Sequence, residues 1–190
     1  MDDGNSKQKL SKAIGPFTLQ STKEVYRSPW LQLREDKVLR PDGAPGVFGV
    51  ITMREGSSVL PLDDKGQVYL VREFKYGIGE YSLEVISGGF NKDETPLAAA
   101  QRELAEETGL SATDWIDLGC VHPFTTVVYS PNHVFLARGL QRGQDRPDPG
   151  EQLSVEKLPF SQALDLVMAG KIIHAASCVV ILKAARVLGL

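Results

Sequence analysis

The chain of 190 residues predicts an α/β fold. Three observations point there. Short runs with strand periodicity follow one another from Phe17 to Ser87, one strongly capped helical stretch sits at residues 96–108, and two further helical stretches close the chain after a last strand. A hydrophobic content of 42% over this length suffices for the core of one domain with a small appendage. The net charge of −3 leaves no basic footprint for nucleic acid. No apolar run approaches the length of a membrane span, and the polar start MDDGNSKQKLSKAIG does not read as a signal peptide, so a cytoplasmic protein is expected. Cys120 and Cys178 lie in apolar runs and read as small core residues of a reducing compartment.

In chain order, residues 1–15 read as a mobile tail. The runs FTLQ, KEVYR and WLQLREDKVLR read as strands, and the Pro41-Asp42-Gly43 turn with Pro45-Gly46 leads into the strand VFGVITM. This region, 16–53, is too small and meandering to fold alone, so it must pack on the main domain, 54–190, or on a second copy of the chain. Three more strands follow: SSVLPLD, then QVYLVREF after a turn at Asp63-Asp64-Lys65-Gly66, then SLEVIS. Beyond the central helix come the strands WIDLGCVHP and NHVFLARGL, and the polar, Gly- and Pro-rich stretch 141–152 reads as a surface loop. SVEKLP is the last strand. Ser161 is placed to cap the helix SQALDLVMAG, and the closing helix presents Ala176, Val179, Val180, Leu182 and Ala185 as its apolar face. His122, His133 and His174 are scattered without metal-ligand spacing and read as core or rim residues.

The central helix is defined by its ends. Thr95 is a good N-cap, Pro96 fits the first helical position where its missing N–H costs nothing, and Gly109 suits the left-handed residue after the last turn. At about 100° per residue, Leu97, Ala100, Leu104 and Thr108 share one side, while Glu103, Glu106 and Glu107 converge on a neighbouring face. Like charges at these spacings cost roughly a few tenths of a kcal/mol per exposed pair unless something relieves them. Water would do so, and so would a hard divalent cation, which takes oxygen ligands. Spacing alone does not choose between the two.

The wider pattern chooses. From Gly88, five residues lead to Glu94, seven more to Arg102, and Arg102-Glu103-Leu104-Ala105-Glu106-Glu107-Thr108-Gly109-Leu110 follows without a break. This resembles the Nudix box, G-x5-E-x7-R-E-U-x-E-E-x-G-U with U a bulky aliphatic residue, and all nine fixed positions match. The resemblance implies a Nudix α/β/α sandwich with a mixed sheet, the N-terminal strands forming a small antiparallel addition. It also implies a pyrophosphohydrolase that uses Mg²⁺, or Mn²⁺. The box positions that ligate metal in the family correspond to Glu103, Glu106 and Glu107, joined by the backbone carbonyl of Ser87. Arg102 is grouped with Glu106 as catalytic machinery, its part being an ion pair with Glu94 that holds the loop to the helix.

The stretch VREFKYGIGEYSLEVISGG further resembles the ADP-ribose and nucleoside-diphosphate-sugar pyrophosphatase branch, where an "R-Q-x-R" strand precedes "L-E-x-P-A-G-G". Here Arg72 holds the first arginine position and Lys75 the second, while Ile86 and Ser87 replace the Pro-Ala pair. The likeness makes Arg72 and Lys75 candidate phosphate contacts and Glu84 a candidate substrate residue. It implies a nucleotide-sugar type substrate split into a nucleoside monophosphate and a sugar phosphate. It implies also a homodimer sharing the N-terminal strands, with Tyr26, Trp30 or Phe48 able to stack on the base. The general base is expected on the 141–152 loop, where Glu151 aligns best with the family's loop glutamate. The stretch HPFTTVVYSP lacks the "S-P-G" element of the branch, which sets ADP-ribose itself apart from the reaction class.

Overall fold

The computed structural model describes residues 12–143 and 153–190, which fall into two compact units. In chain order the strands are β1 (Lys12–Ile14), β2 (Phe17–Arg27), β3 (Leu31–Leu39), β4 (Pro45–Met53), β5 (Gly56–Pro61), β6 (Gln67–Lys75), β7 (Glu80–Glu84) and β8 (Ile86–Gly89). Helix α1 (Pro96–Thr108) follows, then β9 (Leu110–Val121), β10 (Val128–Tyr129), β11 (Asn132–Arg142), β12 (Leu153–Pro159), α2 (Phe160–Met168) and α3 (Ala175–Leu188).

The first unit, residues 12–54 with 124–130, is one sheet in the order β1-β2-β3-β4-β10. Its first four strands form an antiparallel meander, and β10 joins β4 in parallel. The expected tail is shorter than residue 15, because Lys12–Ile14 pairs back on β2 across a turn at Gly15, whose φ of +54° suits a residue without Cβ. The runs FTLQ and KEVYR are one strand, β2. Register shifts between Leu19 and Ser21 and between Glu24 and Tyr26 mark two irregularities in it.

The second unit holds the remaining described residues in two sheets, β8-β5-β11-β9 and β12-β6-β7. The four-stranded sheet is mixed: β5 and β11 run parallel, and both are antiparallel to their outer neighbours. Strand β5 is buried along its whole length, as a central strand covered on both faces must be. Alternation divides the core accordingly. Val59, Ile86, Phe135 and Ala137 pack with Ala100 and Leu104 of α1, whereas Leu60, Val134 and Leu136 pack with Val180, Ile181 and Ala184 of α3. This is the α/β/α layering expected from the sequence.

Four local expectations are corrected. The run SLEVIS is two strands in two sheets, broken at Val85, whose N–H leaves the ladder and donates to Ser177 Oγ of α3 at 2.9 Å. Helix α2 begins after Pro159 with no side-chain cap, one residue before Ser161. The buried face of α3 runs through Ala176, Ser177, Val180, Ile181, Ala184 and Ala185, and Leu182 is exposed. Cys120 is also exposed rather than in the core, while Cys178 is half-buried with its Sγ 3.2 Å from the carbonyl of Ile172.

Candidate active site

Helix α1 is built as its ends dictate. Thr95 Oγ1 accepts the N–H of Ala98 at 3.2 Å, Pro96 opens the helix, and Gly109 closes it at φ 66° while its N–H donates to Ala105 O. With Ala100 and Leu104 sunk in the core, rotation along the helix brings Glu103, Glu106 and Glu107 to the side facing the β8 loop. Glu103 is buried, and Glu106 is half-exposed.

Arg102 organises this side. Its Nε and Nη2 each donate at 2.9 Å to the two oxygens of Glu94, and Nη2 also donates to Gly89 O at 2.9 Å. Its Nη1 donates to Glu103 Oε1 at 2.7 Å and to Glu106 Oε2 at 2.9 Å. Glu94 foremost, then Glu103 and Glu106 against the cost of burial, hold the guanidinium well above its ordinary pKa. In return Arg102 holds the Glu94 carboxyl below the usual range, helped by the Asn91 N–H that donates to it at 2.8 Å. The Arg102–Glu94 fork and the relief of Glu106 by Arg102 at i, i+4 both follow from the sequence, whereas the reach of the same guanidinium to Glu103 does not.

The glycine before this loop has a steric cause. A Cβ on Gly88 would lie 1.7 Å from Glu103 Oε1 and 2.0 Å from its Cδ, so the carboxylate occupies the space a side chain would fill. Ser87, one residue earlier on β8, hydrogen-bonds Ser58 through its hydroxyl at 2.8 Å. Among the described residues no three acidic, His or Cys side chains already converge as a closed cage. The donor set still suits a hard divalent cation. It consists of oxygens alone, and Glu103 and Glu106 are already turned towards one shared positive group, with Glu103 cradled on bare backbone.

The remaining candidates separate. Lys75 and Glu84 lie on one side of the β6–β7 pair, since Glu84 is opposite Val71 and Lys75 is four residues on from Val71. Lys75 Nζ pairs with Glu73 and lies 3.7 Å from Glu84 Oε2. Burial works against its charge, but Glu73, Glu84 and Glu107 outweigh it and keep the ammonium above its ordinary pKa. Arg72, three residues from Lys75, projects to the opposite face with Leu70 and Leu83. There it pairs with Glu156 and lines a cleft of about 640 Å³ with Tyr81, Gln162 and Lys171. The structure therefore brings Lys75 and Glu84 towards the glutamate side and does not bring Arg72. Trp30 belongs to the first unit and is 68% exposed, Tyr26 is exposed, and Phe48 packs edge-on against Phe17 at 5.3 Å. Glu151 and most of its loop lie outside the described residues. His174, expected from the sequence only as a core or rim residue, stands here with its Nδ1 3.3 Å from Glu84 Oε2. It stands 90 positions from Glu84 with no motif to announce it.

Comparison with known proteins shows the family. Residues 52–176 match the NUDIX domain, and residues 17–51 match the nucleoside diphosphate sugar hydrolase N-terminal domain. The chain is 26% identical to the ADP-ribose pyrophosphatase of Mycobacterium tuberculosis over 84% of its own length and 78% of that protein. It is also 26% identical to the ADP compounds hydrolase NudE of Escherichia coli, over 83% and 86%. A solved structure of an ADP compounds hydrolase superposes with a TM-score of 0.80 at 22% identity, covering 94% of this chain and 97% of that one, which shows the shared fold. Nudix hydrolases generally use divalent metal ions, in keeping with the all-oxygen donor set above. An unbroken box on α1, built on a matching fold under a domain match that spans most of the chain, means that this protein belongs to the Nudix family of pyrophosphohydrolases.

Proposed function

We propose that the protein hydrolyses the diphosphate bond of a nucleoside diphosphate linked to a sugar or ribose, with Mg²⁺ as its metal, releasing a nucleoside monophosphate and a sugar phosphate. The observation that carries this reading is the box carboxylate group gathered by Arg102 over Gly88, in a chain whose N-terminal strands match a nucleoside diphosphate sugar hydrolase domain. Water supplies one oxygen to phosphorus, and the P–O–P bridge breaks.

Glu103, Glu106 and Glu107, with the Ser87 carbonyl, would hold the metal. Bound there, Mg²⁺ supplies Lewis acidity and a water of lowered pKa. Arg102 keeps Glu103 and Glu106 turned towards one point, so these side chains are ordered before the substrate arrives. Lys75, the cation beside Glu84 on the glutamate side of β6, neutralises a phosphate oxygen as a movable point charge. Glu151 is the proposed base, a role that requires it within hydrogen-bond reach of the attacking water. The two free thiols, Cys120 and Cys178, suit a reducing, cytoplasmic setting, and no helix among the described residues is long and apolar enough to cross a membrane.

The test is a substrate panel with Mg²⁺, or Mn²⁺ in its place: ADP-ribose, GDP-mannose, UDP-glucose, NADH and nucleoside triphosphates, with products separated by chromatography. Turnover of a nucleotide sugar or ADP-ribose to its two monophosphates is expected. Turnover of triphosphates alone would overturn the substrate class while leaving the reaction type in place.

A further inference from the structure

Glu84 is a carboxylate at a break in the sheet. It is the last residue of β7, only 7% exposed, and the next N–H, that of Val85, donates out of the ladder to Ser177 Oγ of α3 at 2.9 Å. The first turn of α3 thus grips the backbone between β7 and β8. The residue that opens this helix, His174, caps no backbone N–H with its ring. Its Nδ1 instead lies 2.9 Å from Ser177 Oγ and 3.3 Å from Glu84 Oε2. The same Oε2 is 3.7 Å from Lys75 Nζ. One buried carboxylate oxygen is therefore shared between an imidazole from the end of the chain and the lysine on the glutamate side of β6.

We propose that His174 is a positioning residue that keeps Lys75 available to the substrate's diphosphate by holding the Glu84 carboxylate. This rests on the reading of Lys75 as a phosphate contact. The protons follow from the neighbours. Ser177 Oγ accepts the Val85 N–H and could give or take a hydrogen at Nδ1, but the Glu84 carboxylate can only accept, so the neutral ring that holds it carries its hydrogen on Nδ1. Burial, reinforced by Lys75 and opposed by Glu84, favours that neutral ring. A carboxylate tethered in this way stays 3.7 Å from Lys75 Nζ, an ion pair longer than a hydrogen bond. Without the tether it closes on the ammonium, which is already paired with Glu73 and attracted by Glu107, and a lysine held by carboxylates has less to offer a phosphate. The loss falls on ground-state and transition-state binding alike, and so on KM rather than kcat.

The test uses the full-length enzyme with Mg²⁺ and ADP-ribose. His174→Ala is expected to raise KM about five- to tenfold with kcat within about twofold. His174→Asn, whose amide N–H can stand where Nδ1–H stood, should return KM towards wild type. Lys75→Ala should raise KM by itself, and His174→Ala added to it should have no further effect, because the histidine acts through the lysine. A KM increase that persists undiminished in the Lys75→Ala background overturns the proposal, since a merely structural histidine would behave so. If Lys75→Ala raises KM and His174→Ala does not, this inference alone falls. If Lys75→Ala leaves KM unchanged, the phosphate role of Lys75 falls and takes the inference with it. Nitrogen NMR of the wild-type imidazoles, with the His174 signals identified by their loss in His174→Asn, gives a reading independent of turnover. A ring protonated on Nδ1 is expected, and one protonated on Nε2 alone overturns the proposal even if His174→Ala does not fold.

Discussion

At Arg102 and Gly88 one residue each, a guanidinium and a missing Cβ, sets where the Glu103 carboxylate lies. Because Glu103 occupies the space of a Cβ at Gly88, Gly88→Ala must push aside a carboxylate that we propose holds the metal. A fall in metal affinity and turnover of about ten- to a hundredfold is expected, with a far-UV spectrum like wild type, and unchanged Mg²⁺ dependence would contradict the assignment. Glu107→Gln keeps shape and removes charge, so turnover should drop by at least about a hundredfold while the fold stays intact; normal Mg²⁺-dependent turnover would rule out its place among the ligands. Glu94 gives a pH signature. Its carboxyl is held below the usual 4.5 by Arg102, so its contribution to stability is complete above pH 4.5 and is lost as pH falls through the lower folded value. Urea unfolding should therefore find Glu94→Gln less stable than wild type at pH 7, with the gap narrowing below pH 4.5. A gap constant with pH would mean that the Arg102 pair contributes nothing.

At the scale of elements, what could be read in the sequence is what local rules fix. Helix α1 was legible to the residue, because Thr95, Pro96 and Gly109 each do a job that depends only on neighbours within one turn, and the carboxylate face follows from the helical period. Strands β3, β4, β6 and β11 were legible from alternation and turn residues in the same way. The β7–β8 break left one trace, the adjacent apolar pair Val85-Ile86 where the alternation of SLEVIS fails, but its cause lies 92 residues away in Ser177. The opposite facing of Arg72 and Lys75 was legible in principle, since an odd spacing on a strand reverses the face, but the family pattern drew both to one role. The His174–Glu84 contact depends on how α3 packs and left no local trace. The break itself is testable. Ser177 is fully buried, so Ser177→Ala strands the Val85 N–H and should cost about 1–3 kcal/mol in denaturant unfolding, whereas a change within a few tenths would mean that water or a shifted backbone replaces the hydroxyl.

For the molecule as a whole, the first unit poses the question of what covers it. Its register sets Tyr26, Leu33 and Ile51 side by side on one face of the sheet, and Val47 and Met53 extend that face along β4. Tyr26, Val47 and Met53 are 55%, 62% and 41% exposed. On the other face Asp36 is buried, satisfied by Thr22 Oγ1 at 2.6 Å and Arg34 Nε at 3.0 Å of the same sheet. Lys37 and Glu35 stand on this face between Val47 and the Leu33–Ile51 pair, and exposed apolar residues with a charged fringe on a small sheet are the makings of an association surface. A homodimer through this region is therefore expected. Light scattering at micromolar concentration should return twice the 20.8 kDa of one chain. Val47→Glu, at a position exposed enough to accept the charge without disturbing the sheet, should shift the mass towards a single chain. Wild-type protein that scatters as one chain over that range would mean that the face is covered by something other than a second copy.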